Sequence, residues 1–298
     1  MDYVKPDKVV AAMVQSGAAK AALGVKDALI RGFLGGAILA FATTLAFTAA
    51  AQTKLPLVGA LVFPVGFVII VLLGLELVTG SFALIPLAVL EKKASLRSML
   101  SNFFWVILGH LLGSAVYAGL FYAAVTNFGH IQDQSVIQMI IHTAETKTNG
   151  YAALGFDGMA AVFAKAVLCN WMVTLGAVMA MTAESTTGKI LAMWLPILTF
   201  FAQGFEHAVV NMFVIPAGMM YGGEVTLGGW WLWNQLPVLL GNFTGGVLFT
   251  GLFLYYTHSK SKKGVEADPF QAVSGRADPV PAISGRTELL AASAARRS

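Results

Sequence analysis

Charge is what this chain has least of. Only 11% of its 298 residues are Asp, Glu, Lys or Arg, against 57% apolar residues. A water-soluble domain of this size has no need of such a balance; a chain that crosses a membrane several times does. Cysteine is nearly missing as well. Cys169 stands alone, so no intrachain disulfide can form, and inside a hydrophobic stretch it reads as an inert core residue. There is no His-x-x-x-His or Glu-x-x-His pair. That argues against a membrane-embedded, metal-dependent enzyme built on Glu76, Glu206 and the histidines, and no metal or cofactor is expected. The paired Asn-Pro-Ala of water and glycerol pores is absent too. Residues 1–30 lack the apolar core of a cleavable signal peptide and carry Lys5, Lys8, Lys20 and Lys26. The net charge of +4 follows from where the basic residues sit and gives no reason to invoke nucleic acid.

Six hydrophobic segments are present, at about 32–51, 57–90, 103–125, 158–183, 190–221 and 230–257. Roughly 20 apolar residues span a bilayer as a helix. The second and fifth segments exceed thirty residues, so each is expected to be one span broken in the middle. Near each break sits a glutamate, two residues after a glycine and ten before a proline: Gly74, Glu76 and Pro86, then Gly204, Glu206 and Pro216. A charge inside a membrane segment is costly and marks a functional site by default. Basic residues gather in the N-terminal arm, in the 91–102 loop, at Lys189 and after the last segment, while the opposite loops carry only Lys54 and Lys147. Both termini are therefore expected in the cytoplasm, with six spans between them. Residues 1–30 read as an amphipathic arm on the membrane surface or as an ordinary cap. Residues 31–258 form the membrane domain. Residues 259–298, polar and internally repeated from Asp268 and again from Asp278, read as a disordered cytoplasmic tail.

The two halves, about 31–125 and 158–257, overlay at a nearly constant offset. The Gly-x-Glu motifs coincide. Asn102, Gly109, His110, Gly113 and Ser114 match Asn234, Gly241, Asn242, Gly245 and Gly246. With three spans in each half, the second must enter the membrane upside down, as an inverted repeat. The glycines at four-residue spacing read as close helix contacts rather than substrate contacts.

Broken helices expose backbone at membrane depth, which is tolerated only inside protein or against an aqueous cavity. Half-helix N-termini there offer partial positive charge to an anion. Thr79 supplies a hydroxyl after the first break. His207, at the second, is the one residue of the two breaks that can change protonation near neutral pH. Coming from matching breaks, the two are expected to face each other. Glu206 reads as a brace, because a carboxylate in the path would repel an anion.

Gly-x-Glu-Leu-x-Thr-Gly at 74–80, Leu-Cys-Asn-Trp-Met-Val at 168–173, Gly-Phe-Glu-His-x-x-x-Asn-Met-Phe at 204–213 and Leu-Gly-Asn-x-x-Gly-Gly at 240–246 resemble the formate–nitrite transporter family. The resemblance spans about residues 5–258. It implies an all-α, aquaporin-like membrane fold of six transmembrane helices, assembled as a pentamer in the cell inner membrane. It implies transport rather than catalysis. The cargo would be a small monovalent anion, formate first, with nitrite, hydrosulfide or acetate as alternatives and proton coupling through His207. Thr79 and His207 would be the central pair, Asn170 a support on the fourth helix and Lys147 the lysine of the outer vestibule. Glu206, Asn211 and Glu76 would brace the histidine and the pore. Phe63, Phe67, Leu77 and Phe200 would narrow the pore, although from the residues alone ordinary lipid or core packing is the default reading of these four. Two departures stand out. Lys147 lies further from Asn170 than the family pattern has it, and Lys165 is nearer. The Gly-Asn of the third helix reads Gly109-His110 here.

Overall fold

The structure, a computed structural model, describes residues 2–131 and 135–259, so the repeated tail falls outside it. Those residues are helical almost throughout, and among them the only β-pairing is a bridge between Tyr3 and Ala183. Helix α1 (Pro6–Ala21) precedes α2 (Val25–Thr53). Two short helices, α3 (Pro56–Val62) and α4 (Pro64–Leu72), lead to a break at 73–77 and then to α5 (Val78–Leu90) and α6 (Leu96–Thr126). Next come α7 (Ser135–Thr146), α8 (Asn149–Ala153), α9 (Gly155–Ala180) and α10 (Thr186–Ala202). A second break at 203–207 precedes α11 (Ala208–Met220). The last helix runs Leu227–His258 as α12 (Leu227–Trp230), α13 (Leu236–Thr244) and α14 (Phe253–His258), with π-helical stretches Trp231–Gln235 and Gly245–Leu252 between them. Among the described residues, four helices are long and apolar enough to cross a membrane: α2, α6, α9 and the composite last helix.

Both breaks have the same cause. Gly74 and Gly204 adopt φ of +63° and +65°, where an L side chain is strained. Around each, the helix closes with the same two hydrogen bonds. Gly74 N–H reaches Val71 O and Leu75 N–H reaches Ile70 O; Gly204 N–H reaches Phe201 O and Phe205 N–H reaches Phe200 O. This left-handed cap ends a helix while satisfying its last carbonyls. The chain then runs extended through Leu77 and His207, the N-caps of α5 and α11.

Close helix contacts hold each half together. A Cβ at Gly113 would lie 2.0 Å from Phe33 O on α2, and one at Gly245 would lie 2.3 Å from Val167 O on α9. The glycines read as packing positions are packing positions. Helix α1 starts with Pro6 at its first turn and ends with Lys20 in its last. Its apolar face of Val9, Val10, Met13 and Val14 is buried against Leu84, Leu87 and Val178. Ahead of it, the Asp2 carboxylate accepts hydrogen bonds from Ser185 Oγ–H and from the N–H groups of Glu184 and Ser185. The Ser185 bonds hold its carboxyl below the ordinary carboxylate range. Cys169 is buried and free, as expected.

Candidate functional site

The two breaks meet in the protein interior. Thr79 Oγ1 and His207 Nε2 are 3.0 Å apart, and both residues are buried. Nδ1 of the same ring accepts the N–H of Val210 at 3.2 Å, so His207 caps the N-terminus of α11 with its own side chain. A ring that accepts at Nδ1 carries its proton on Nε2 when neutral, and Nε2–H then points at the Thr79 oxygen. The threonine hydroxyl proton is left to serve another acceptor. Phe200 lies face to face with the imidazole, 5.5 Å between centroids, and Phe63 meets Phe200 edge-on at 5.6 Å. Phe67 and Leu77 belong to the same buried apolar cluster. Asn170 Nδ2 donates to Thr79 O at 3.0 Å and to Asn242 O at 2.6 Å, so it fixes the backbone beneath the threonine.

The glutamates lie one residue before the extended turns, and each is neutralised. Glu76 pairs with Lys20 at 2.8 Å and accepts from Ser81 Oγ at 3.3 Å. Glu206 pairs with Lys147 at 2.8 Å and accepts from Tyr151 O–H at 2.7 Å, Asn211 Nδ2 at 2.8 Å and Asn234 Nδ2 at 3.3 Å. The lysines are held alike: Asn102 Nδ2 donates to Lys20 O at 2.9 Å and Asn234 Nδ2 to Lys147 O at 3.0 Å. Unpaired buried carboxylates would cost several kcal/mol each, so these partners are obligatory.

Asn211 N–H reaches the His207 carbonyl at 3.0 Å. Glu206 and Asn211 bond each other and their neighbours, and the imidazole's own contacts are Thr79, the Val210 N–H and the Phe200 face. Tyr151 had no part in the sequence reading, and Asn102 and Asn234 entered it only as matching positions of the repeat. Lys20 was countable only as a topology charge, although it ends an amphipathic stretch ahead of its half, as Lys147 does.

Beside Glu206 a cavity of about 220 Å³ is lined by Thr143, Thr146, Lys147, Tyr151, Lys165 and Glu206, among others. Lys165 Nζ donates to the Tyr151 oxygen at 3.3 Å and lies 5.3 Å from that ring's centroid. Among the described residues it has no carboxylate partner. Both candidate lysines therefore face this space, one charge-matched and one not. No group of three or more His, Cys, Asp or Glu side chains among the described residues could hold a metal ion.

A chain with several apolar helices, two of them broken so that buried polar groups meet at the breaks, is a multi-pass membrane protein of the channel and transporter class. More particularly, it belongs to the formate/nitrite transporter family, whose model matches residues 7–256. A probable formate transporter of Methanothermobacter thermautotrophicus is 36% identical over 256 residues, covering 81% of this chain and 91% of that one. A solved FNT family ion channel superposes with a TM-score of 0.71 at 27% identity, over 84% of this chain and 98% of that one. A pentameric formate channel with formate bound shares the fold, with a TM-score of 0.63 at 23% identity over 79% and 98% of the two chains.

Proposed function

We propose that five copies of this chain form a channel for small monovalent anions, formate foremost, in the plasma (inner) membrane, with both termini cytoplasmic. On this reading α2, the α3–α4–α5 unit and α6 make one three-span half. α9, the α10–α11 unit and the last helix make the other, inverted relative to the first. The recurrence of the glycine caps, of the Lys–Glu pairs and of the asparagines that hold the lysines supports the repeat. The pentamer is supported by the shared fold with the solved pentameric channel. Residues 31–258 are then the channel domain.

One observation carries the reading: the buried contact of Thr79 with His207, with Nδ1 committed to the Val210 N–H. Stripping water from an anion in an apolar constriction costs several kcal/mol unless donors replace that water. The threonine hydroxyl proton, left free because Nε2–H is given to the Thr79 oxygen, is one such donor, and Nε2–H becomes a second for an anion that displaces the threonine, both between the N-termini of α5 and α11. A neutral imidazole that surrendered its Nε2 proton would be left negatively charged. His207 as held here therefore acts as a donor, and a proton that crosses with the anion comes from water in the vestibule. Asn170 keeps the threonine in place. Phe63, Phe67, Leu77 and Phe200 exclude water from the narrow section. Lys147, charge-matched by Glu206, orders the cavity wall, and Lys165 contributes its uncompensated positive charge.

Flux of formate, nitrite, hydrosulfide and acetate into proteoliposomes, measured side by side, tests this. Formate should enter well above the rate of empty liposomes, and acetate more slowly. No flux of any of the four through folded, reconstituted protein would refute the proposal.

A further inference from the structure

We infer that His110 is the positioning residue for Thr79, a role that the second half of the chain gives to Asn242. His110 sits on α6 and is fully buried. Its Nδ1 is 2.7 Å from Gly32 O, and its Nε2 accepts the N–H of Val78 at 3.1 Å. A carbonyl can only accept, so the proton is on Nδ1 and the lone pair on Nε2.

Val78 is the first residue of α5, directly before Thr79. The N-cap of α5, Leu77, has no side chain able to satisfy an orphan N–H. In the second half Asn242 Oδ1 accepts the N–H of Ala208, the first residue of α11, at 2.8 Å, while its Nδ2 donates to Ala166 O at 2.8 Å. The two side chains do the same work: each ties the start of a half-helix to the first helix of its half. The ring reaches its partners because Gly35 leaves room, for a Cβ there would lie 3.1 Å from His110 Cε1.

The two ends of the Thr79–His207 contact are thus held by different chemistry. His207 caps its own helix, whereas Thr79 depends on a ring from another helix. Loss of the Nε2 acceptor would leave a buried N–H unpaired at the start of α5 and let Thr79 move away from His207. This rests on the reading of Thr79 and His207 as the anion-contacting pair.

Two measurements test the inference separately from that reading. In ¹⁵N-histidine-labelled protein in bilayers, His110 should show a protonated Nδ1 and a bare Nε2, identified as the signal lost in His110→Gln. His207 should show the opposite tautomer. A charged ring, or a proton on Nε2 of His110, would overturn the inference whatever the flux. In proteoliposomes, per folded oligomer, His110→Leu should lower maximal formate flux at least tenfold with little change in the half-saturating concentration. His110→Gln, long enough to place an acceptor at Val78, should restore most of it. If the leucine variant does not assemble, His110→Phe replaces it, since a ring with no nitrogen acceptor should show the same loss. Wild-type flux in the acceptor-less variant, or no rescue by glutamine, would overturn the assignment. Normal flux in His207→Phe would instead sink the reading of the pair and leave the tautomer result standing.

Discussion

Replacing Lys147 and replacing Lys165 should have opposite consequences, although both line one cavity. Lys147→Met strands Glu206 as a buried, unpaired carboxylate at a cost of about 3–5 kcal/mol, so assembly and thermal stability should fall. Lys165→Met removes a partly buried cation with no acid to strand. Its oligomer should melt within a few degrees of the wild type, while the formate concentration for half-maximal flux rises severalfold. Thermal melts of the purified oligomer and concentration series in liposomes check the two. Equal melting losses in both variants would mean that the Glu206 pairing does not matter. Glu76, Glu206, Thr79 and His207 were legible because a polar or titratable group in an apolar run is conspicuous. The partners of the glutamates were not. Lys20 lies 56 residues from Glu76, and its place at the end of an amphipathic stretch points to no particular acid. Tyr151 sits on the short α8, within the stretch that separates Lys147 from Asn170, and an aromatic there reads as packing.

The elements themselves follow from local chemistry that a sequence displays openly. Proline starts α1, α3 and α4, and a serine with its capping box starts α6. The glycines at 74 and 204 stop the helices at the breaks. The four-residue spacing of glycines on α6 (Gly109, Gly113) and on the last helix (Gly241, Gly245) announced close approach, and Gly113 shows how close. Gly113→Leu would drive a side chain into the Phe33 carbonyl. Overpacking of about 1–3 kcal/mol or more, against backbone that cannot turn aside, should abolish the oligomer, and Gly113→Ala should weaken it. Gly119, with nothing within 4 Å of its Cβ position, is the control and should tolerate alanine. Size-exclusion profiles of the three variants decide it; an intact Gly113→Leu oligomer would contradict the packing. The subdivision of the last span was not legible. Its π-helical stretches depend on what packs against them, such as Asn170 and Phe82 against Gly246.

At the scale of the whole molecule, the lipid-like exterior is plain. Large apolar side chains such as Phe104, Leu120, Leu195 and Leu240 are more than half exposed on a single copy. Membrane lipid and neighbouring copies would cover them. Native mass spectrometry in mild detergent should give five chains; a monomeric mass for active protein would refute the assembly. Cysteine probes at Lys54 should label from outside and probes at Lys93 only from the cytoplasm, and the reverse would overturn the orientation. The measurement closest to the central claim is formate flux through His207→Phe and His207→Asn. Losing one donor to a charged partner is worth about 1.5–3 kcal/mol, or about 10–150-fold. The phenylalanine variant should lose formate flux by that factor in folded oligomer, and the asparagine variant, which keeps an N–H donor, should retain most of it. Wild-type flux through His207→Phe would contradict the account.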